Sequence, residues 1–251
     1  MRWAGIGALS GIRNPVLVAK RLHAFQGEPQ VCGLVPPCVL VGAGATQWAL
    51  QQKCSEPANL VTESSRKTYL KYKTRVDEVK RKRMDTVGAI LITKNGETAS
   101  AVSSGGIFLK IPGRVGQGGC YGSGCWSEAT VSVTTSGVGE QLIKSLLAMR
   151  TAEDLLSAAD DKMPQDLVAD SFSSRFFDSP ILSEIEPSKR LAGLIAAYRH
   201  PTRKTTEFFC VHNTLSMFYA YQTSEMSAAA CHLSRCDKDQ DQSIKVDAYS
   251  F

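Results

Sequence analysis

Asp85-Thr86-Val87-Gly88-Ala89-Ile90-Leu91-Ile92 reads as a short apolar strand opening on a threonine, and Lys94-Asn95-Gly96-Glu97 follows it as a turn. Asn-Gly is the strongest short hairpin signal, because both residues tolerate positive φ. If Asn95-Gly96 is a two-residue turn, Lys94 faces Glu97 and Thr86 faces Gly105, with Ser104 beside it. The return strand ends in Ser103-Ser104-Gly105-Gly106. The hairpin over 86 to 104 thus brings a threonine hydroxyl next to a serine hydroxyl and two glycines, which is the layout of a site. Val87 to Ile92 is nearly continuous in apolar residues. Such a strand is expected to be covered on both faces, in a sheet sandwiched between helices.

A chain of 251 residues can bury a substantial core, as one domain or two small ones. Its composition is ordinary for a globular protein, and no apolar run is long enough to span a bilayer. Arg13-Asn14-Pro15 interrupts the small apolar opening, which argues against a secretory signal. Cys32 and Cys38, Cys120 and Cys125, and Cys231 and Cys236 lack the Cys-x-x-Cys spacing of zinc and redox sites. Scattered reduced cysteines of an intracellular protein are the simpler reading. His23, His200, His212 and His232 stand alone, so neither histidine catalysis nor a metal site is supported.

The whole net charge of +5 lies in residues 62 to 85, with nine Lys/Arg against four acids. This is a basic segment on a neutral body rather than a nucleic-acid-binding domain. Lys80-Arg81-Lys82-Arg83 fits a nuclear import signal and plain solvated charge equally well. Residues 55 to 85 read as an exposed linker, helical from about Lys67 to Arg83.

Upstream, Gly5 to Leu9 reads as a short strand or a tight crossing, and Pro15 starts a helix with Val16, Leu17, Ala19, Leu22 and Phe25 on one face. Cys38 to Val41 is a strand, and Gly42-Ala43-Gly44 turns it into a helix. The latter lacks the third glycine and the lysine of a phosphate loop. Residues 105 to 124 hold eight of the twenty glycines and the segment Pro112-Gly113-Arg114-Val115-Gly116-Gln117. A surface loop would explain them. So would a substrate-binding wall in which Arg114 receives a carboxylate, and the nearness of the hairpin's open end favours that. Val131 to Thr135 reads as a strand, Ser136-Gly137-Val138-Gly139-Glu140 as a turn, and Leu142 to Met149 as a helix. Two amphipathic helices follow to 180, and then strands at Leu191 to Tyr198, Glu207 to Val211, Met217 to Tyr221 and 229 to 234. The tail from Asp237 is polar and expected to be disordered.

Asp85-Thr86-Val87-Gly88, Ala101-Val102-Ser103-Ser104-Gly105-Gly106, Pro112-Gly113-Arg114-Val115-Gly116-Gln117 and Thr135-Ser136-Gly137-Val138-Gly139-Glu140 occur in order with fitting spacing. Together they resemble the asparaginase-type N-terminal-nucleophile hydrolase family, and within it the threonine aspartase (taspase) branch most closely. Gly7-Ala8-Leu9-Ser10-Gly11-Ile12 and Pro36-Pro37-Cys38-Val39-Leu40-Val41-Gly42 add to the likeness, which runs from about residue 5 to 150. Asp85 and Gln117 stand where asparaginases usually carry glycine and an aspartate that grips a free amino group. With the basic segment before the cleavage point, they favour the taspase branch.

The resemblance implies an α+β fold, a four-layer αββα sandwich, with no metal or organic cofactor. On that scheme 1–54 is an α-segment, 55–85 the basic linker, and 86–251 the β-segment of one structural domain. It implies self-cleavage between Asp85 and Thr86, with Thr86 as nucleophile and its freed amine as base. Ser104 would orient Thr86, Gly137 N–H with the Ser136 hydroxyl would bind the oxyanion, and Arg114 and Gln117 would meet the substrate. The implied activity is a threonine endopeptidase cutting proteins after aspartate, in the nucleus and cytoplasm, as a dimer of cleaved αβ pairs. Neither nucleic acid nor membrane is an expected partner. The family's opening strand and Asn-Ala-Gly loop are not found, so the chain is expected to be N-terminally truncated and impaired. An asparaginase or isoaspartyl peptidase acting on small β-aspartyl substrates, and a non-catalytic partner subunit, remain alternatives.

Overall fold

The structure is a computed structural model that describes residues 3–29, 35–54, 59–73, 86–107, 109–157, 162–200, 205–236 and 243–251. Asp85 and the Lys80–Arg83 run lie outside the described residues, as does the implied linker helix beyond Lys73. The chain forms two compact units. One comprises 1–86 and 103–120, the other 87–102 and 121–251.

In the first unit β1 (Gly5–Gly7) pairs in parallel with β2 (Val39–Val41). Between them runs α1 (Pro15–Phe25), with Pro15 in its first turn, where a missing N–H costs nothing. α2 (Gly42–Gln51) follows β2 directly. Ile12, Val18 and Ala49 form a small core with Ile6, Leu9 and Trp48 around it. Phe25 meets Trp48 edge to face at 5.8 Å. α3 (Glu63–Lys73) exposes Tyr69 and Leu70, and its Glu63–Lys67 ion pair is solvated. Val115, in the glycine-rich loop, lies against β1 at Gly7.

The strands β3 (Thr86–Ile92) and β4 (Thr98–Ser104) form the expected hairpin. Its loop differs from a two-residue turn. Thr93 N–H donates to Glu97 O at 2.8 Å and Gly96 N–H to Thr93 O at 2.9 Å, with Gly96 at φ +84°. This is a three-residue loop, a tight turn closed by a left-handed glycine. The closing pair is therefore Thr93–Glu97. Carried back along the strands, the register sets Thr86 against Ser104 and not Gly105.

The second unit is built on a five-stranded antiparallel sheet. Its strands are β5 (Cys125–Glu128), β6 (Val131–Gly137), β7 (Ala192–Arg199), β8 (Thr206–His212) and β11 (Lys245–Ser250), in the order β11-β8-β7-β6-β5. Alternation sends Val131, Val133, Leu194, Phe209 and Val211 to one face. There they meet α4 (Gly139–Ser145), α5 (Leu147–Leu156) and α6 (Pro164–Phe172) through Leu142, Leu147, Leu155 and Phe172. Each such fully buried large side chain contributes roughly 1.5–3 kcal/mol. The helix read as continuous from Leu142 breaks at Leu146, which is left-handed (φ 50°, ψ 40°). The break lets Met149 N–H reach Gly122 O at 3.0 Å, so α5 docks on the loop before β5.

On the sheet's other face lie Ser132, Thr134, Ile195, Phe208 and Cys210. Against them pack Ile90 of the β3–β4 hairpin and Tyr219 of a second hairpin, β9 (Ser216–Tyr221) with β10 (Ala230–Arg235). Ser132 Oγ, on a fully buried residue, reaches Ala99 O at 3.1 Å and Leu91 O at 3.4 Å, tying β6 to both strands. The second unit thus stacks helices, sheet and hairpins as three layers.

Two further expectations fail. β3 is not covered on both faces: Val87 is 70% and Leu91 56% exposed. An unbroken apolar run carries no alternation, and so could not tell one covered face from two. The tail is not disordered throughout, since β11 completes the sheet beside β8, with Val246 opposite Val211. Ile244 and Val246 bury against the helix-side core and Tyr249 against the opposite face, an alternation hidden by the polar stretch before them.

Candidate active site

The first unit brings together Thr86, Ser104 and Gln117. The hairpin register makes Thr86 and Ser104 cross-strand neighbours, and Thr86 Oγ1 donates to Ser104 Oγ at 3.2 Å. Ser104 Oγ also accepts the Gly106 N–H at 3.1 Å, a local turn contact that sets its rotamer. The third member comes from a short 3-10 turn, Gln117–Gly119, whose backbone is closed by Cys120 N–H to Gln117 O at 3.0 Å. Gln117 is buried, and its Nε2 donates to Thr86 Oγ1 at 3.3 Å. The resemblance sets Gln117 against the substrate; in the folded chain its amide nitrogen donates to the threonine.

Arg114 lies one glycine away. A Cβ on Gly106 would stand 3.1 Å from the Arg114 Nη1, and one on Gly116 2.7 Å from the same atom. The guanidinium therefore occupies the space that these glycines leave, and Gly106 is also held at φ +80°. Lys110, which no motif singled out, joins it: its Nζ donates to Gly105 O and would stand 3.4 Å from the same Gly106 Cβ. Two cations thus flank the glycine whose N–H holds Ser104. Only the fold reveals the second, since lysine is common and its spacing carries no pattern. Burial pushes the Cys120 thiol up, away from reactivity, against the weaker opposing pull of the same guanidinium.

Ser136 and Gly137 belong to the second unit, at the end of β6. Gly137 sits at φ +153°, and a Cβ there would lie 2.5 Å from Leu191 O, so no other residue fits without moving β7. Ser136 is on the same face of β6 as Thr134. A Cβ on Gly88 would come 2.5 Å from Thr134 Oγ1, so glycine there lets β3 lie close on β6.

Among the described residues no three His, Cys, Asp or Glu gather as a metal site, all seven cysteines are free, and no helix is long and apolar enough to cross a membrane. The chemistry available in the first unit is that of a hydroxyl held by one donor and one acceptor beside two cations. It suits nucleophilic attack on a carbonyl whose substrate carries a carboxylate.

The model of the Asparaginase family matches residues 1–165. The chain is 32% identical over 173 residues to the plant-type L-asparaginase of Pyrobaculum calidifontis, covering 64% of this chain and 53% of that protein. It is 36% identical over 151 residues to the isoaspartyl peptidase/L-asparaginase of Bos taurus, covering 57% and 46%. To the isoaspartyl peptidase of Salmonella typhimurium it is 32% identical over 162 residues, covering 59% and 48%. The chain spans about half the length of these relatives. With two thirds of its residues inside the matched region and a threonine–serine pair at its centre, the chain belongs to the asparaginase family of N-terminal-nucleophile hydrolases.

Proposed function

We propose that Thr86 attacks the carbonyl of Asp85 in its own chain, and that the threonine freed in this way hydrolyses amide bonds of aspartyl groups. The observation that carries this reading is the Thr86 hydroxyl held 3.2 Å from that of Ser104. Attack shifts the Asp85 acyl group from the Thr86 nitrogen to its oxygen, which frees the amine, and water then hydrolyses the ester to a carboxylate on Asp85 and the Thr86 hydroxyl. An α-amino group titrates at about 7.7–8.0, so Thr86 then carries nucleophile and base together, with no histidine needed. In turnover the Thr86 oxygen becomes acylated, the substrate's nitrogen leaves with a proton, and water restores the hydroxyl. Arg114, with Lys110 beside it, offers a planar guanidinium to the substrate carboxylate.

For the substrate, the relatives' names favour asparagine and β-aspartyl peptides. A second reading, an endopeptidase of the taspase type cutting after aspartate, draws support from Gln117. A neutral amide turned onto Thr86 offers no charge to a free substrate ammonium, and an endopeptidase substrate has none. Pairing of two cleaved copies and a nuclear as well as cytoplasmic place, through Lys80–Arg83, are proposed alongside it.

Intact mass and N-terminal sequencing of the purified chain test the first step. A fragment beginning Thr86-Val87-Gly88 is expected, and a stable uncut chain overturns the proposal. L-Asparagine, a β-aspartyl dipeptide and an N-acylated peptide with an internal aspartate then separate the two substrate readings.

A further inference from the structure

Gln117 is only 3% exposed, and among the described residues its amide nitrogen donates to Thr86 Oγ1 at 3.3 Å. An amide nitrogen has no lone pair to accept with, so the polarity is fixed: Gln117 donates and Thr86 accepts. Thr86 must then direct its own proton elsewhere. It is directed at Ser104 Oγ, 3.2 Å away, which also accepts from Gly106 N–H. The order of donors runs Gln117 to Thr86 to Ser104, with the Gly106 N–H closing the far end.

We propose that Gln117 is the positioning residue of the nucleophile: its N–H fixes the Thr86 rotamer and sends the hydroxyl proton toward Ser104. This deepens the reading of Thr86 as nucleophile and, for its effect on rate, rests on it. A free threonine hydroxyl rotates among several arrangements, and holding the reactive one raises the rate of attack. Gln117 is itself fixed, since its backbone carbonyl closes the turn with Cys120 and its neighbour Val115 is seated on β1. A buried donor on a rigid turn suits that task, and a flexible surface glutamine would not.

The polarity makes the idea testable with a near-isosteric change. In Gln117→Glu the ionised carboxylate only accepts, so it competes with Ser104 for the Thr86 proton. As pH falls and the carboxyl protonates, a donor returns. Self-cleavage is followed as the rate of appearance of the fragment beginning at Thr86, from pH 5 to 8. Gln117→Glu is expected to be about tenfold slower than the unchanged chain at pH 8 and to recover toward pH 5, while Gln117→Ala is slow throughout. A general loss of packing gives no such recovery. Equal rates for all three overturn the proposal.

A second measurement needs no activity. The Gln117 side-chain amide signal, identified by its loss in Gln117→Glu, is compared between the unchanged chain and Thr86→Val by nitrogen-edited NMR. A shift with faster proton exchange upholds the contact, and an unmoved signal overturns it. If the unchanged chain never cuts, the self-cleavage reading falls, and this spectrum still decides the role of Gln117.

Discussion

Thr86 and Ser104 are direct cross-strand partners, hydroxyl to hydroxyl at 3.2 Å, because the loop between their strands closes at Thr93 and Glu97. Ser104→Ala is expected to slow self-cleavage roughly 10- to 100-fold, the worth of one orienting hydrogen bond. Ser104→Thr, which keeps the oxygen, is expected to retain most of the rate. Gly96→Ala places a Cβ at φ +84° and is expected to lower stability by about 1–2 kcal/mol. Fragment appearance and urea midpoints check these outcomes.

Gly88 and Thr134 form a tight seam between β3 and the sheet. With a Cβ on Gly88 only 2.5 Å from Thr134 Oγ1, Gly88→Ala is expected to cost about 1–3 kcal/mol by overpacking. Thr134→Ala removes the opposing hydroxyl, so the double variant is expected to be more stable than the sum of its parts. A double-mutant cycle by chemical denaturation measures that coupling, and strict additivity would refute the contact.

Gly106 makes room for Arg114 and Lys110. Gly106→Ala is expected to displace the guanidinium and raise KM for an aspartyl substrate about tenfold, with a smaller change in kcat. Lys110→Met is expected to raise KM in the same direction while leaving stability nearly unchanged. Steady-state kinetics on the preferred substrate separate the two parameters.

His212 gives the second unit a pH dependence. Its ring is fully buried, with Nδ1 3.0 Å from Thr214 O and Nε2 without a hydrogen-bond partner among the described residues. Burial holds its pKa below the ordinary value of 6.5, against the opposing pull of the Thr214 carbonyl. The unfolded chain therefore binds a proton first as pH falls. The stability gained from keeping this ring neutral is complete above about pH 6.5 and is lost as pH drops toward the folded value. His212→Gln is expected to flatten the urea midpoint between pH 7 and 5.

Asp154 and Arg175 clamp α5 to the turn after α6, with bonds of 2.9 and 2.6 Å. Burial raises the Asp154 carboxyl, but the hydrogen bonds of Arg175 and Ser171 outweigh it and hold it below its ordinary 3.8. That contribution is present above about pH 4 and fades as acid protonates the folded group. Asp154→Asn is expected to cost about 1 kcal/mol at neutral pH, discounted because the arginine is partly solvated. Thermal denaturation at pH 7 and pH 3 reads the difference and its loss.

How much was legible in advance follows from which signals are local. The hairpin was read from Asn95-Gly96, α1 from Pro15, and β7 to β9 from their β-rich runs, because turn chemistry and apolar periodicity act over a few residues. The order of Thr86, Ser104, Arg114 and Gln117 along the chain, with its glycines, was likewise enough to single out candidate residues that lie together in the first unit.

What the sequence determined by itself was therefore the residue types and the local elements that carry them. The tertiary structure alone decided the register that makes Thr86 face Ser104, since one extra loop residue changes the pairing and leaves composition untouched. It alone turned the Gln117 amide onto Thr86, brought Lys110 to Gly106, recruited β11 into the sheet and left Val87 and Leu91 uncovered. Each of these depends on contacts between residues far apart in sequence, which no local pattern encodes.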